Sequence, residues 1–153
     1  MLTFASALAA MSRAGVDFLV VGGLAVAKAG FARATIDVDV LVEPSPPNLR
    51  RLIDVLSTFG SGAAAGLAPD DFPLEEGCVR IAEDFDIDVF TVMSGHTYAD
   101  LLPLSVVHDL DGAAVRFLGA EGLLRLKSDS LRPKDQLDVA ALHALIDGRD
   151  PSA

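Results

Sequence analysis

The stretch that decides the fold runs from residue 21 to residue 42 and reads VGGLAVAKAGFARATIDVDVLV. It begins where an apolar run ends in the glycine pair Gly22-Gly23, and it closes on a second run of β-branched and aliphatic residues. That second run holds two aspartates, Asp37 and Asp39, one residue apart. Aspartate is depleted in strands, so two of them in a run that otherwise predicts a buried strand require a physical reason.

Strand geometry places the two aspartates together. Side chains alternate across a strand, so Asp37 and Asp39 share one face. The other face, which we predict to be core, carries Ile36, Val38, Val40 and Val42. Two like charges at this spacing on a half-buried surface repel each other and lose hydration. Water on an exposed strand face, basic side chains or a divalent cation would each stabilise them.

The same pattern recurs at residues 84–90, DFDIDVF, where Asp86 and Asp88 share one face. If the two strands are neighbours, three or four carboxylates converge. Mg²⁺ prefers oxygen ligands, and two such ions can clamp the attacking and leaving oxygens of a phosphoryl group. The two patterns together therefore favour a magnesium site over a solvated strand face, with Asp86 and Asp88 as alternatives for the third carboxylate.

The glycine pair points towards the same region. Glycine tolerates positive φ and lets the backbone approach a ligand closely. A helix that starts at the pair would direct backbone N–H groups at an anion. Neither the P-loop pattern nor the dinucleotide fingerprint is present. A tight strand-to-helix turn without a ligand is the alternative interpretation.

The remaining chain mixes helical and strand patterns. Helical spacing covers residues 2–14, 44–60 and most of the chain after residue 120. Asp111-Gly112 separates two strand-like runs, a strong hairpin signal, and residues 78–93 form one strand or a hairpin. We expect an α/β (α+β) fold with a mixed β-sheet flanked by helices, in a single domain over residues 1–153.

The amino-acid composition limits the kinds of partner that we expect for this protein. The formal net charge is −10, with 22 acidic and 12 basic residues, which argues against strong direct DNA binding because that needs a basic footprint. A metal ion or a basic partner would relieve the acidic repulsion. The single cysteine, Cys78, allows no internal disulfide; we expect it to be buried, in a reducing compartment. We expect a cytoplasmic protein with no membrane span.

These motifs resemble the nucleotidyltransferase superfold of the DNA polymerase β type. The family pattern is a Gly-Gly or Gly-Ser turn, a spacer, Asp-x-Asp and a third acid on a later strand. The matching residues are Gly22, Gly23, Asp37, Asp39 and Asp88. Asp88 is favoured over Asp86 because the sequence IDVF is more like the family's x-Asp-hydrophobic-hydrophobic strand.

A closer resemblance is to small bacterial nucleotidyltransferase-like proteins, including the AbiEii-type toxins of toxin–antitoxin systems. Those often read G-G-x-A and R-x-T-x-D-x-D early, then E-x-L-x-x-x-K and R-x-K-D-x-x-D late. The early residues here are Gly22, Gly23, Ala25, Arg33, Thr35, Asp37 and Asp39. The late residues are Glu121, Leu123, Lys127, Arg132, Lys134, Asp135 and Asp138.

The resemblance implies a set of roles. Asp37, Asp39 and Asp88 would be the catalytic carboxylates and the ligands of Mg²⁺. The nucleotide-binding residues would be Gly22, Gly23, Arg33, Thr35 and Lys127. Arg33 could instead hold Asp37 or Asp39, and Lys127 could instead belong to a helix-end set of ion pairs with Asp129, Asp135 and Asp138.

The implied activity is transfer of a nucleoside monophosphate from a nucleoside triphosphate (NTP) to a hydroxyl group of RNA, protein or a small molecule. The first alternative is a catalytically degenerate fold that binds a nucleotide or a partner protein. The second is hydrolysis at a two-metal site. A cognate partner protein and a homodimer are both candidates for the assembly.

Overall fold

The structure is a computed structural model that describes residues 3–31, 35–128 and 133–150. Six α-helices lie in these ranges: α1 (Phe4–Arg13), α2 (Gly22–Ala29), α3 (Pro46–Leu56), α4 (Tyr98–Leu101), α5 (Ala120–Lys127) and α6 (Pro133–Ile146). Within the described residues, no helix has the length and apolar character needed to cross a membrane.

Eight strands accompany the helices: β1 (Phe18–Val21), β2 (Asp37–Val42), β3 (Cys78–Ala82), β4 (Asp86–Phe90), β5 (Val92–Met93), β6 (His96–Thr97), β7 (Ser105–Leu110) and β8 (Ala113–Leu118). Six of them form one sheet in the order β3-β4-β2-β1-β8-β7, and β5 and β6 form a separate hairpin. In the large sheet β2 is parallel to β4 and β1 to β8, while the other pairs are antiparallel. The prediction of a mixed sheet flanked by helices is confirmed.

The order of the strands decides where the aspartates lie. Strand β1 is buried at every position and sits inside the sheet, with β2 beside it. The segment that could have been one strand is a hairpin, β3–β4, and its second arm pairs with β2. The two Asp-x-Asp segments are therefore neighbours in the sheet, which is the condition for their carboxylates to converge.

Asn48 fixes the end of the β1–β2 pair that lies away from the aspartates. Its buried side chain accepts a hydrogen bond from the Asp17 N–H at 2.8 Å and donates to the carbonyls of Asp17 and Glu43 at 3.0 and 2.8 Å. Because a buried amide with these bonds is costly to misplace, Asn48 holds the antiparallel register. That register sets Val21 opposite Asp39.

Two residues expected to be buried are exposed. Ile36 is 85% exposed because β2 begins only at Asp37, so Ile36 precedes the paired part of the strand. Cys78 is exposed because it starts β3, an edge strand with only β4 beside it. Val38 and Val40 are buried, as the alternation predicts.

Candidate metal centre

Three carboxylates meet on one face of the sheet. Strands β2 and β4 run parallel with Asp37 opposite Asp86 and Asp39 opposite Asp88. One oxygen from each of Asp37, Asp39 and Asp88 lies within 4.8 Å of the other two. We call these three residues the carboxylate cluster; Asp86 is on the same face but is not part of it.

The negative charges of the three carboxylates repel one another. The pKa of Asp39 is raised from its ordinary 3.8 to about 6, first by burial and then by the charges of Asp37 and Asp88, while Lys127 and Lys134 act in the opposite direction. All three donors are carboxylate oxygens, the type that hard divalent cations such as Mg²⁺ prefer. A cation would offset the repulsion that the fold imposes, so the residues fit a divalent ion.

The raised pKa of Asp39 makes a prediction about stability. The folded protein binds this proton more tightly than the unfolded chain, so ionised Asp39 disfavours folding at high pH, and the penalty fades as pH falls from about 6 to about 4. Because solvent screens part of the interaction at half-buried Asp39, we expect Asp39→Asn to raise the unfolding free energy of metal-free protein by about 1 kcal/mol near pH 8. We expect no gain near pH 4, well below the raised pKa.

Denaturant unfolding of both proteins at the two pH values would measure this difference. Saturating Mg²⁺ should then stabilise the wild type but not Asp39→Asn, because only the wild type keeps the full carboxylate cluster. A loss of stability in Asp39→Asn at high pH would show that the Asp39 carboxylate is favourable in the fold, against the electrostatic argument.

Gly22 leaves room for Asp39. It opens α2 directly after β1, with φ +70, where glycine is the residue without steric cost. A Cβ atom at this position would lie 2.3 Å from Asp39 Oδ2. Gly22 is thus required both by the turn and by the close approach of the carboxylate, and it brings the start of α2 to the carboxylate cluster. Gly23, the second residue of α2, is half-buried.

Of the early-motif residues Thr35 and Arg33, the structure describes only Thr35. The Thr35 hydroxyl donates to the Asp37 carbonyl at 2.9 Å, a bond that fixes the entry to β2. Arg33 lies outside the described residues. A nucleotide contact by either residue stays a prediction.

Lys127 lies between two buried carboxylates of α6. Its Nζ is 3.0 Å from Asp135 Oδ1 and 2.9 Å from Asp138 Oδ2, and only 14% of its side chain is exposed. The predicted ion pairs with Asp135 and Asp138 are therefore present and join α5 to α6, whereas Asp129 lies outside the described residues. Lys127 also lines the same cleft as Asp39, so its charge reaches the carboxylate cluster although its Nζ is already paired.

The carboxylate cluster forms one side of a cleft of about 480 Å³. Its apolar lining comes from β4, the β5–β6 hairpin and α5, through Phe90, Val92, Met93, Leu123 and Leu126. The hairpin is fixed by Glu76, whose carboxylate accepts from the backbone N–H groups of Ser94 and Gly95 at 2.9 and 3.0 Å. The cleft thus joins an acidic end to an apolar wall.

Arg80 is the site residue that the sequence analysis missed. Its guanidinium makes a two-bond fork with Asp88: Nε lies 2.8 Å from Oδ1, and Nη2 lies 3.0 Å from Oδ2. Asp86 is 3.4 Å away and Asp37 is 3.9 Å away. The available signal was a lone charged residue in the apolar run CVRIA, but its partner depends on the register of the β3–β4 hairpin, which sets Arg80 opposite Asp88.

Comparison with known proteins supports the fold. No protein-family model matches this chain, and no curated protein matches it. The crystal structure of an antigenic nucleotidyltransferase-like protein from Paracoccidioides brasiliensis is similar, with a TM-score of 0.54, over 94% of this chain and 75% of that one, at 16% sequence identity. At this identity the similarity shows the fold alone: the chain has a nucleotidyltransferase-like fold.

Proposed function

We propose that this chain is a divalent-cation-dependent nucleotidyltransferase that moves a nucleoside monophosphate from an NTP to a hydroxyl group. The observation that carries the proposal is the carboxylate cluster, Asp37, Asp39 and Asp88, beside the Gly22 turn of a nucleotidyltransferase-like fold. Mg²⁺ is the proposed ion because all three donors are carboxylates. Asp37 and Asp39 would hold it together with the phosphates, and Asp88 would complete the ligand set.

In the proposed reaction, the acceptor hydroxyl oxygen forms a bond to the α-phosphorus as the bond from that phosphorus to the pyrophosphate oxygen breaks. Pyrophosphate leaves with the electron pair, and the hydroxyl proton passes to solvent or a nearby carboxylate. When bound, the cation would neutralise phosphate charge and make the α-phosphorus easier to attack. The strands β2 and β4 hold the carboxylates in fixed positions, so the protein contributes mainly orientation and electrostatics.

The shape of the cleft supports a nucleotide. Its acidic end fits cation-bound phosphates, and its apolar wall, which includes Phe90 and Met93, fits the flat face of a base. We propose that the backbone at Gly22 and Gly23 contacts phosphate at the start of α2. Lys127 would favour the negatively charged phosphates through its positive charge.

The finer assignment rests on the sequence motifs. The late motif that contains Glu121 and Lys127 supports kinship with AbiEii-type toxins of toxin–antitoxin systems, with RNA or a protein as the acceptor. We propose that residues 1–153 act as a single cytoplasmic domain, with a cognate protein or a second copy as partner.

Titration calorimetry with each of the four NTPs, with and without Mg²⁺, tests the proposal. We expect Mg²⁺-dependent binding, followed by transfer of an α-phosphate label to an acceptor with release of pyrophosphate. Labelled monophosphate without a labelled acceptor would make the protein a hydrolase. The absence of NTP binding under any condition would contradict a nucleotidyltransferase site in this chain.

One observation favours a second candidate function. The fork from Arg80 already satisfies both oxygens of Asp88, so the protein itself neutralises part of the carboxylate cluster. A catalytically degenerate fold that binds a nucleotide or a partner protein would tolerate this arrangement. Nucleotide binding without turnover, or a stoichiometric partner that binds in the absence of NTP, would distinguish it.

A further inference from the structure

We infer that Arg80 is a built-in cation that competes with a divalent ion for Asp88, so that Asp88 joins the metal site only when the guanidinium withdraws. The inference rests on the proposed function, since it takes the carboxylate cluster as the metal site. In this role Arg80 is a positioning residue: it acts through Asp88.

The contacts place the Arg80 guanidinium directly on Asp88. Both oxygens of Asp88 accept hydrogen bonds from Arg80, at 2.8 and 3.0 Å. A forked pair of this kind is charge-assisted and directional; it uses one lone pair on each oxygen of Asp88 and fixes the orientation of the carboxylate, so a metal ion competes with it for the same group. The same positive charge also lies near Asp37, at 3.9 Å, and therefore weakens the attraction of the whole cluster for a second cation.

The two partners differ in their freedom to move. The Asp88 side chain is only 7% exposed, whereas the Arg80 side chain is 55% exposed. Arg80 lies on β3, an edge strand of the sheet, so the guanidinium can turn outward to solvent without crossing another strand. Asp86, 3.4 Å from Nη1, offers a partly exposed carboxylate that can keep the guanidinium nearby. The release of Asp88 therefore needs movement of one surface side chain and no change in the fold.

The competition has a measurable consequence. Loss of Arg80 removes one positive charge from within 4 Å of two cluster carboxylates, Asp37 and Asp88, and frees both oxygens of Asp88. We expect Arg80→Met to bind Mn²⁺ at least about tenfold more tightly than the wild type, since a charge at this distance still matters under solvent screening. The thermal midpoint should also rise more on Mn²⁺ addition in Arg80→Met, because its buried Asp88 lacks a partner until the ion binds.

Free Mn²⁺ is measured by electron paramagnetic resonance during titration of wild type, Arg80→Met and Arg50→Met. Arg50 is an exposed residue of α3 that pairs with none of the cluster carboxylates. Its substitution makes the same change in net charge, and we expect an affinity within about twofold of the wild type. Circular dichroism checks that each variant is folded.

Equal or weaker Mn²⁺ binding by folded Arg80→Met would overturn the inference while leaving the proposed metal site intact. If neither the wild type nor Arg80→Met binds Mn²⁺, both the inference and the proposed metal site are wrong. If Arg80→Met does not fold, the wild type decides: the Arg80 Nε–H NMR signal should shift on Mg²⁺ addition as the fork opens. An unchanged signal at saturating Mg²⁺ would contradict the competition.

Discussion

Replacement of Asp37 with Asn is expected to lower Mg²⁺-dependent nucleotidyl transfer by at least about a hundredfold, because loss even of an outer-shell partner of a metal ligand costs roughly 10- to 100-fold. Asparagine keeps the shape and one oxygen but removes the charge. Because Asp37 repels Asp39 in the metal-free protein, the fold should keep its stability. The loss should therefore appear in cation and nucleotide binding and in transfer, while the unfolding free energy is kept or raised.

Asp86→Asn is the matched control. Asp86 lies opposite Asp37 in the parallel pair β2–β4, and the two side chains are almost equally exposed, at 37% and 38%. Both face Arg80, but only Asp37 is in the carboxylate cluster. Calorimetry and label transfer should show Asp86→Asn close to the wild type. Equal losses in the two variants would mean that general negative charge, rather than a metal ligand at Asp37, supports binding.

Gly22→Ala should abolish Mg²⁺ binding with only a modest loss of stability. At φ +70 a non-glycine residue costs about 1–2 kcal/mol. The new Cβ would meet Asp39 Oδ2 at 2.3 Å, and because this oxygen is the end of a flexible side chain, the carboxylate will rotate away. The rotation takes Asp39 out of the carboxylate cluster, so metal affinity should suffer more than folding.

Gly66→Ala controls for the extra methyl group, because a Cβ at Gly66 meets no atom within 4 Å. Urea unfolding measures the stability of both variants, and Mn²⁺ titration measures the site. Gly22→Ala with unchanged Mn²⁺ affinity would show that the position of Asp39 beside the turn is not needed to hold the ion.

The sequence predicted the carboxylate cluster because strand alternation depends only on spacing. Asp37 and Asp39 must share a face, and the second Asp-x-Asp segment repeats the pattern. Spacing alone left Asp86 and Asp88 as alternatives, and the pairing of β2 with β4 brings Asp88 to the other two carboxylates. The prediction that Ile36 is buried was wrong for a related reason. Alternation says nothing about where pairing begins, and Ile36 precedes the first residue of β2.

Arg80 could not be predicted from spacing alone. Its contact with Asp88 depends on the register of the β3–β4 hairpin, in which Ala82 pairs with Asp86 across a turn of three residues. A shift of one residue would turn the arginine to the other face. For Lys127 the sequence left two interpretations open, a nucleotide contact and ion pairs with nearby aspartates, and the packing of α5 against α6 forms the pairs with Asp135 and Asp138.

The most direct test of a cation held by Asp37, Asp39 and Asp88 is an anomalous difference map from a crystal grown with Mn²⁺ and a non-hydrolysable NTP analogue. The expected result is an Mn²⁺ peak bonded to Asp37 and Asp39, with the triphosphate beside Gly22. A contradictory result would be a bound nucleotide whose Mn²⁺ contacts none of the three carboxylates, or a crystal at saturating Mn²⁺ and nucleotide in which the carboxylate cluster binds neither.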